Sequence, residues 1–178
     1  LNDQKVGERI REGFKIAILG PTNAGKSSLM NYLSNRDVAI VSEIAGTTRD
    51  VIETHLNLDG YPVVISDTAG IRDSKDEIEK KGIKLALKKA EESDLKIVVL
   101  HPENLDFKPF LELSNSENTI VVLNKSDIKL GKPPGIGNYL RLNHLGKNLE
   151  DIKVIHTSIK EEINLVDLIN AIKEKLKN

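Results

Sequence analysis

The chain has 178 residues, a formal charge of −1 from 26 lysines and arginines against 27 aspartates and glutamates, and neither cysteine nor tryptophan. One domain of this size buries about 70% of its unfolded surface. The charge balance excludes a general basic field for nucleic acid, the missing cysteines exclude disulfide and thiolate chemistry, and aromatics at 3% leave no stacking platform for single strands.

No apolar stretch approaches the ~20 residues of a membrane span, and the N-terminus is too polar for a signal peptide. A cytoplasmic location without a membrane partner is therefore expected. Residues 1–13 read as a polar lead-in from a preceding helical domain, and residues 14–178 as the folded domain. Phe14–Leu19 is an apolar run that predicts a buried strand. It enters Gly20-Pro21-Thr22-Asn23-Ala24-Gly25-Lys26-Ser27, a G-x-x-x-x-G-K-S string, and a helical pattern over Ser27–Leu33 follows. Strand, glycine loop and helix in that order form a phosphate cradle, because loop and helix-start N–H groups converge on one point. Ala24, Gly25 and Ser28 belong to that cradle. Lys26 is placed to reach the β- and γ-phosphates, and the Ser27 hydroxyl to ligate Mg²⁺.

Arg36–Asp50 is too long and too rich in Gly, Ser and Thr for a simple connection, which suggests a functional loop. Val51–Leu58 alternates polar and apolar residues, as a half-buried strand does. Asp59-Gly60 is a two-residue hairpin signal that pairs it antiparallel with Tyr61–Ser66. Asp67-Thr68-Ala69-Gly70 follows, with a carboxylate able to hold Mg²⁺ through its water shell and a glycine N–H able to approach a γ-phosphate. Glu77–Glu92 reads as a helix, with Gly82 costing ~1 kcal/mol relative to Ala.

Leu95–Leu100 and Thr119–Leu123 are buried strands, and the second leads into Asn124-Lys125-Ser126-Asp127. A carboxylate at Asp127 accepts the adjacent N1–H and N2–H₂ donors of guanine, whereas adenine would leave it unpaired; sites built this way discriminate by ~10⁴–10⁵. Lys132–Gly137 is a turn-rich loop, Lys153–Thr157 the last strand, and Ile163–Leu176 a final amphipathic helix marked by Ile163, Val166, Ile169 and Ile172. The four histidines show no metal-ligand spacing. Six strands alternating with helices give an α/β fold, its sheet mostly parallel with one antiparallel strand and helices on both faces.

Ordered G-x-x-x-x-G-K-S, D-x-x-G and N-K-x-D motifs resemble those of the Ras-like P-loop G domains, which bind GTP and GDP. Pro21–Leu29, Ala39–Asp50, Asp67–Arg72 and Asp76–Ile83 resemble the corresponding strings of the MnmE (TrmE) family of tRNA-modifying GTPases, within the TrmE-Era-EngA-like branch. The resemblance implies that Arg36–Asp50 is switch I, with Gly46, Thr47, Thr48, Arg49 and Asp50 as its signature and Thr48, or failing it Thr47, as a second Mg²⁺ ligand beside Ser27 and Asp67. Ile71 stands where many GTPases place a water-orienting glutamine. The resemblance implies Glu79 as the catalytic group instead, although composition alone would read Glu79 as one more charge on a solvated helix.

The same resemblance implies that Asn23 ligates K⁺, together with switch I carbonyls around Ser42 to Ile44. The cation would offset transition-state charge where an arginine finger otherwise acts. Ser158-Ile159-Lys160 matches the family's base-contacting S-A-K string except for Ile159, whose backbone N–H is the implied contact to guanine O6. Implied partners are a second copy of the domain, met through the switches in the presence of GTP and K⁺, and, through the full-length protein, tRNA and the flavoprotein MnmG. A Der-type ribosome-assembly GTPase and a slow-turnover nucleotide-binding module are the alternatives.

Overall fold

Aliphatic runs short enough for strands and free of polar alternation must be covered on both faces, and they become the centre of the sheet. A computed structural model describes residues 7, 9, 11–21, 23–36, 52–67, 87–102, 117–127 and 152–177. The strands are β1 (Phe14–Leu19), β2 (Ile52–Leu58), β3 (Tyr61–Asp67), β4 (Leu95–Leu100), β5 (Thr119–Leu123) and β6 (Lys153–His156). They form one six-stranded sheet in the order β2-β3-β1-β4-β5-β6. All pairs are parallel except β2–β3, whose register ends at Leu58 opposite Tyr61. Asp59 (φ 49°) and Gly60 (φ 96°) turn between them with two positive φ angles, the combination that Asp-Gly favours.

Among the described residues, two helices pack on one face, α1 (Lys26–Arg36) and α2 (Leu165–Leu176). Leu29 and Leu33 of α1 and Leu168 and Ile172 of α2 share a core with Ile16 and Ile18 of β1, Ile97 and Val99 of β4, and Ile120 and Val122 of β5. Each such buried side chain contributes about 1.5–3 kcal/mol. The opposite face, including Ala17, Lys96, Val98 and Val121, is buried too. Residues 87–91 are helical, inside the predicted Glu77–Glu92 helix, whose earlier part lies outside the described residues.

The last helix corrects the sequence reading. It begins at Leu165, not Ile163, and its buried face is Leu165, Leu168, Ile169, Ala171, Ile172 and Leu176. The Ile163 N–H donates to the Ser158 carbonyl at 2.9 Å, and Asn164 adopts a left-handed backbone (φ 56°), so neither residue continues a helix. Ile163, ahead of the helix, and Val166, within it but off the buried face, are exposed.

The parallel strands point their carboxyl ends to one edge. Gly20 after β1, Asn124 after β5 and Thr157 after β6 therefore gather there, with Asp67 as the last residue of β3. In open α/β sheets ligands bind at this edge. Among the described residues, no helix is long and apolar enough to cross a membrane.

Candidate nucleotide-binding site

The loop from Gly20 to Lys26 folds as it does because two of its positions admit no side chain. Gly20 has φ 145° and Gly25 φ 108°, and Asn23 between them is left-handed at φ 61°. A Cβ on Gly20 would collide with the Val99 carbonyl oxygen, and one on Gly25 with the Asn124 carboxamide. The Leu29 N–H bonds the Gly25 carbonyl at 2.9 Å as the opening rung of α1. Amides ahead of that rung precede the helical ladder and carry the positive end of the helix dipole. Lys26 Nζ donates to the carbonyls of Gly20 (2.6 Å) and Pro21 (2.7 Å), which holds the ammonium over the loop. Asn23, Ser27 and Ser28 are exposed beside it. Together these groups form a cradle for an anion.

A second loop lies against the first. Asn124, buried at 4% exposure, donates its backbone N–H to Leu100 O at 2.8 Å. Its side-chain Nδ2 donates to Ala24 O at 2.9 Å, and its Oδ1 accepts the Ile159 N–H at 3.1 Å. One carboxamide thus joins the phosphate-type loop, the N-K-x-D loop and the loop after β6. Lys125 is left-handed (φ 58°), which turns the chain sharply before Asp127. Backbone bonds from Ser126 N–H to Thr157 O (2.9 Å) and from Thr157 N–H to Leu123 O (2.8 Å) lace the second and third loops together.

Asp127 is exposed. A hydrogen bond from the Ser158 side chain is the main cause that holds its carboxyl below the usual range. Its own backbone N–H acts in the same direction, burial opposes them, and the charges of Lys160 and Lys125 add weaker lowering effects. Ser158 is itself buried, and its Oγ also accepts the Glu161 N–H at 3.3 Å. A carboxylate kept ionised and aimed by a fixed hydroxyl suits a pair of adjacent N–H donors.

The structure therefore brings together Asn23, Ala24, Gly25, Lys26, Ser27 and Ser28 with Asn124, Lys125, Asp127, Ser158 and Ile159. Ser42, Ile44, Gly46, Thr47, Thr48, Arg49, Asp50, Gly70 and Glu79 lie outside the described residues. Sequence reasoning did not find two features of the site. The Ile159 N–H, expected at guanine O6, bonds Asn124 Oδ1, and the Ala24 carbonyl serves as an anchor for Asn124. Neither leaves a local signal, because each links residues far apart in the chain.

Residues 15–125 match the family described as 50S ribosome-binding GTPase. Over 128 residues, 72% of the chain, it is 77% identical to the tRNA modification GTPase MnmE of Pelagibacter ubique (strain HTCC1062), covering 29% of that protein. Over its whole length it is 44% identical to the tRNA modification GTPase MnmE of Rickettsia bellii (strain OSU 85-389), covering 38% of that protein. The chain thus spans about a third of the length of these curated relatives. Among solved structures, an Aquifex aeolicus Era variant bound to GDP·AlF4⁻ superposes with a TM-score of 0.63 at 27% identity, covering 90% of this chain and 56% of that one. With ordered nucleotide motifs, a phosphate cradle and these relatives in agreement, the chain belongs to the 50S ribosome-binding GTPase family and is a GTP-hydrolysing G domain similar to that of the MnmE proteins.

Proposed function

We propose that this domain reads guanine with Asp127, hydrolyses GTP with K⁺ assistance in a switch-mediated homodimer, and serves a protein that modifies the wobble uridine of tRNA with a flavoprotein partner of the MnmG kind. The observation that carries the nucleotide reading is the Asn124 carboxamide, which ties the phosphate cradle to the base-side loop. The identity to MnmE proteins supports the tRNA role.

Among the described residues no three His, Cys, Asp or Glu side chains cluster around a point. Cations here would be held by hydroxyl, carbonyl and phosphate oxygens, the hard donors that Mg²⁺ prefers. The exposed Ser27 at the start of α1 fits that role. Ser27, Asp67 and Thr48 would hold Mg²⁺, and Asn23 with backbone around Ser42 and Ile44 would hold K⁺. These cations supply charge compensation for the phosphoryl group.

Lys26 binds the β- and γ-phosphates, and the Gly70 N–H approaches the γ-phosphate. Ile71 cannot orient water, and the resemblance to the MnmE proteins supports Glu79 in that role. The residues 1–13 would connect the domain to a preceding helical one.

GTP turnover in KCl and in NaCl at equal ionic strength, over a range of protein concentration, tests the mechanism. Faster specific turnover in KCl that rises with concentration is expected. Equal, concentration-independent turnover in both salts would overturn the cation-assisted dimer and favour a slow binding module.

A further inference from the structure

Ile159 occupies a position where the resembling family carries alanine, so its side chain has atoms there that a backbone contact alone does not need. Those atoms are buried: Ile159 is 8% exposed and belongs to the same core cluster as Ala24 of the phosphate loop and Leu165 and Leu168 of α2. Its Cδ1 lies 3.6 Å from the point where a Gly25 Cβ would stand. The space that Gly25 leaves empty is taken by the Asn124 carboxamide, and the Ile159 tip lies beside that space. Through its backbone, the same residue donates to Asn124 Oδ1 at 3.1 Å. Ile159 thus grips Asn124 by a hydrogen bond and closes the gap to the phosphate loop by packing.

We infer that Ile159 is a positioning residue whose side chain locks the base-side loops onto the phosphate loop and so sets the rate of nucleotide release. On the guanine-site reading the phosphates sit at the Gly25 loop and the base at Asp127, and the Asn124 carboxamide joins those two loops, so parting them would open the way to release. Atoms packed across that seam resist parting; shortening the side chain leaves a gap that the neighbours fill only in part. Alanine removes every atom that reaches the seam, and valine removes only the δ-methyl. The inference rests on the guanine-site reading above.

The test follows release of GDP carrying a fluorescent group on its ribose, chased with excess unlabelled GDP, from the wild-type domain and from Ile159→Val and Ile159→Ala. Groups coupled in one contact network change such rates by factors of this kind: about threefold faster for valine and on the order of tenfold faster for alanine are expected. A merely structural Ile159 would lower the fraction of protein able to bind while the bound fraction released GDP at the wild-type rate, and that result would overturn the inference. Valine removes a single methyl, so it reports even where alanine fails to fold. Labelled ADP released from the wild type as slowly as GDP would overturn the guanine reading, while the Ile159 comparison on GDP would still decide the inference.

Discussion

Asn124 and Ala24 are 100 positions apart in the chain, yet the Asn124 carboxamide donates to the Ala24 carbonyl at 2.9 Å. The bond is possible only because Gly25, next to Ala24, presents no side chain there. Gly25→Ala would add a Cβ into the carboxamide at a φ of 108° that L-residues avoid. The expected cost is about 2 kcal/mol or more from backbone strain alone. Urea unfolding with and without GDP checks this: the variant should lose stability and most of its GDP-dependent stabilisation. Wild-type stabilisation by GDP would remove the bridge from the account.

Asp127 owes its lowered pKa first to the Ser158 hydroxyl. A carboxyl whose pKa is depressed in the folded protein stays ionised above that pKa and loses its contribution as pH falls through it. Ser158→Ala should therefore move the acid limb of GDP binding to higher pH, toward the ordinary carboxylate value of 3.8. Titration of GDP affinity from neutral pH downward reads the shift. An unmoved limb would mean that Ser158 does not tune Asp127.

Lys96 sits within β4 at 4% exposure, where burial lowers its pKa from 10.5. In the window between the lowered folded pKa and 10.5, the unfolded chain binds more protons, so stability rises with pH there. Lys96→Met keeps the volume and removes the charge. It should raise stability at neutral pH by about 1 kcal/mol, or roughly 2–4 °C in Tm. The gain should shrink as pH rises toward 10. Calorimetry at neutral and alkaline pH decides it; a destabilised Lys96→Met would show that the ammonium is compensated.

Thr157 is fully buried, and among the described residues its Oγ1 has no hydrogen-bond partner. A buried hydroxyl without a bond costs roughly 1–3 kcal/mol. Replacing it with the nearly isosteric valine should leave stability unchanged or raise it by about 1 kcal/mol. Chemical denaturation of Thr157→Val measures this directly, and a clear loss would reveal a partner for the hydroxyl.

Much of this was legible from local pattern. Largely aliphatic runs marked β1, β4 and β5, because strands buried on both faces need no alternation, and Asp59-Gly60 marked the hairpin by its backbone preference. The shape of the loop between β1 and α1 was legible because its glycines and Lys26 lie close together in the chain. What escaped the sequence is set by tertiary contact. Ile163 looks like a helix residue by spacing until Ser158 takes its backbone. Lys96 lies within the strand predicted over Leu95–Leu100, and the sheet shows this charged residue to be buried with the rest. The joint bonding of Asn124 to Ala24 and Ile159 depends on strand order, which no local period encodes.

The central claim, that Asp127 reads guanine at this edge, is tested most directly by titrating GDP and xanthosine diphosphate into the wild-type domain and into Asp127→Asn. The variant exchanges an acceptor for a group that can donate, and xanthine carries an acceptor where guanine carries its 2-amino donor. The account predicts that the wild type prefers GDP and that Asp127→Asn reverses the preference, by at least tenfold in each direction. Unchanged preference for GDP in the variant would contradict it.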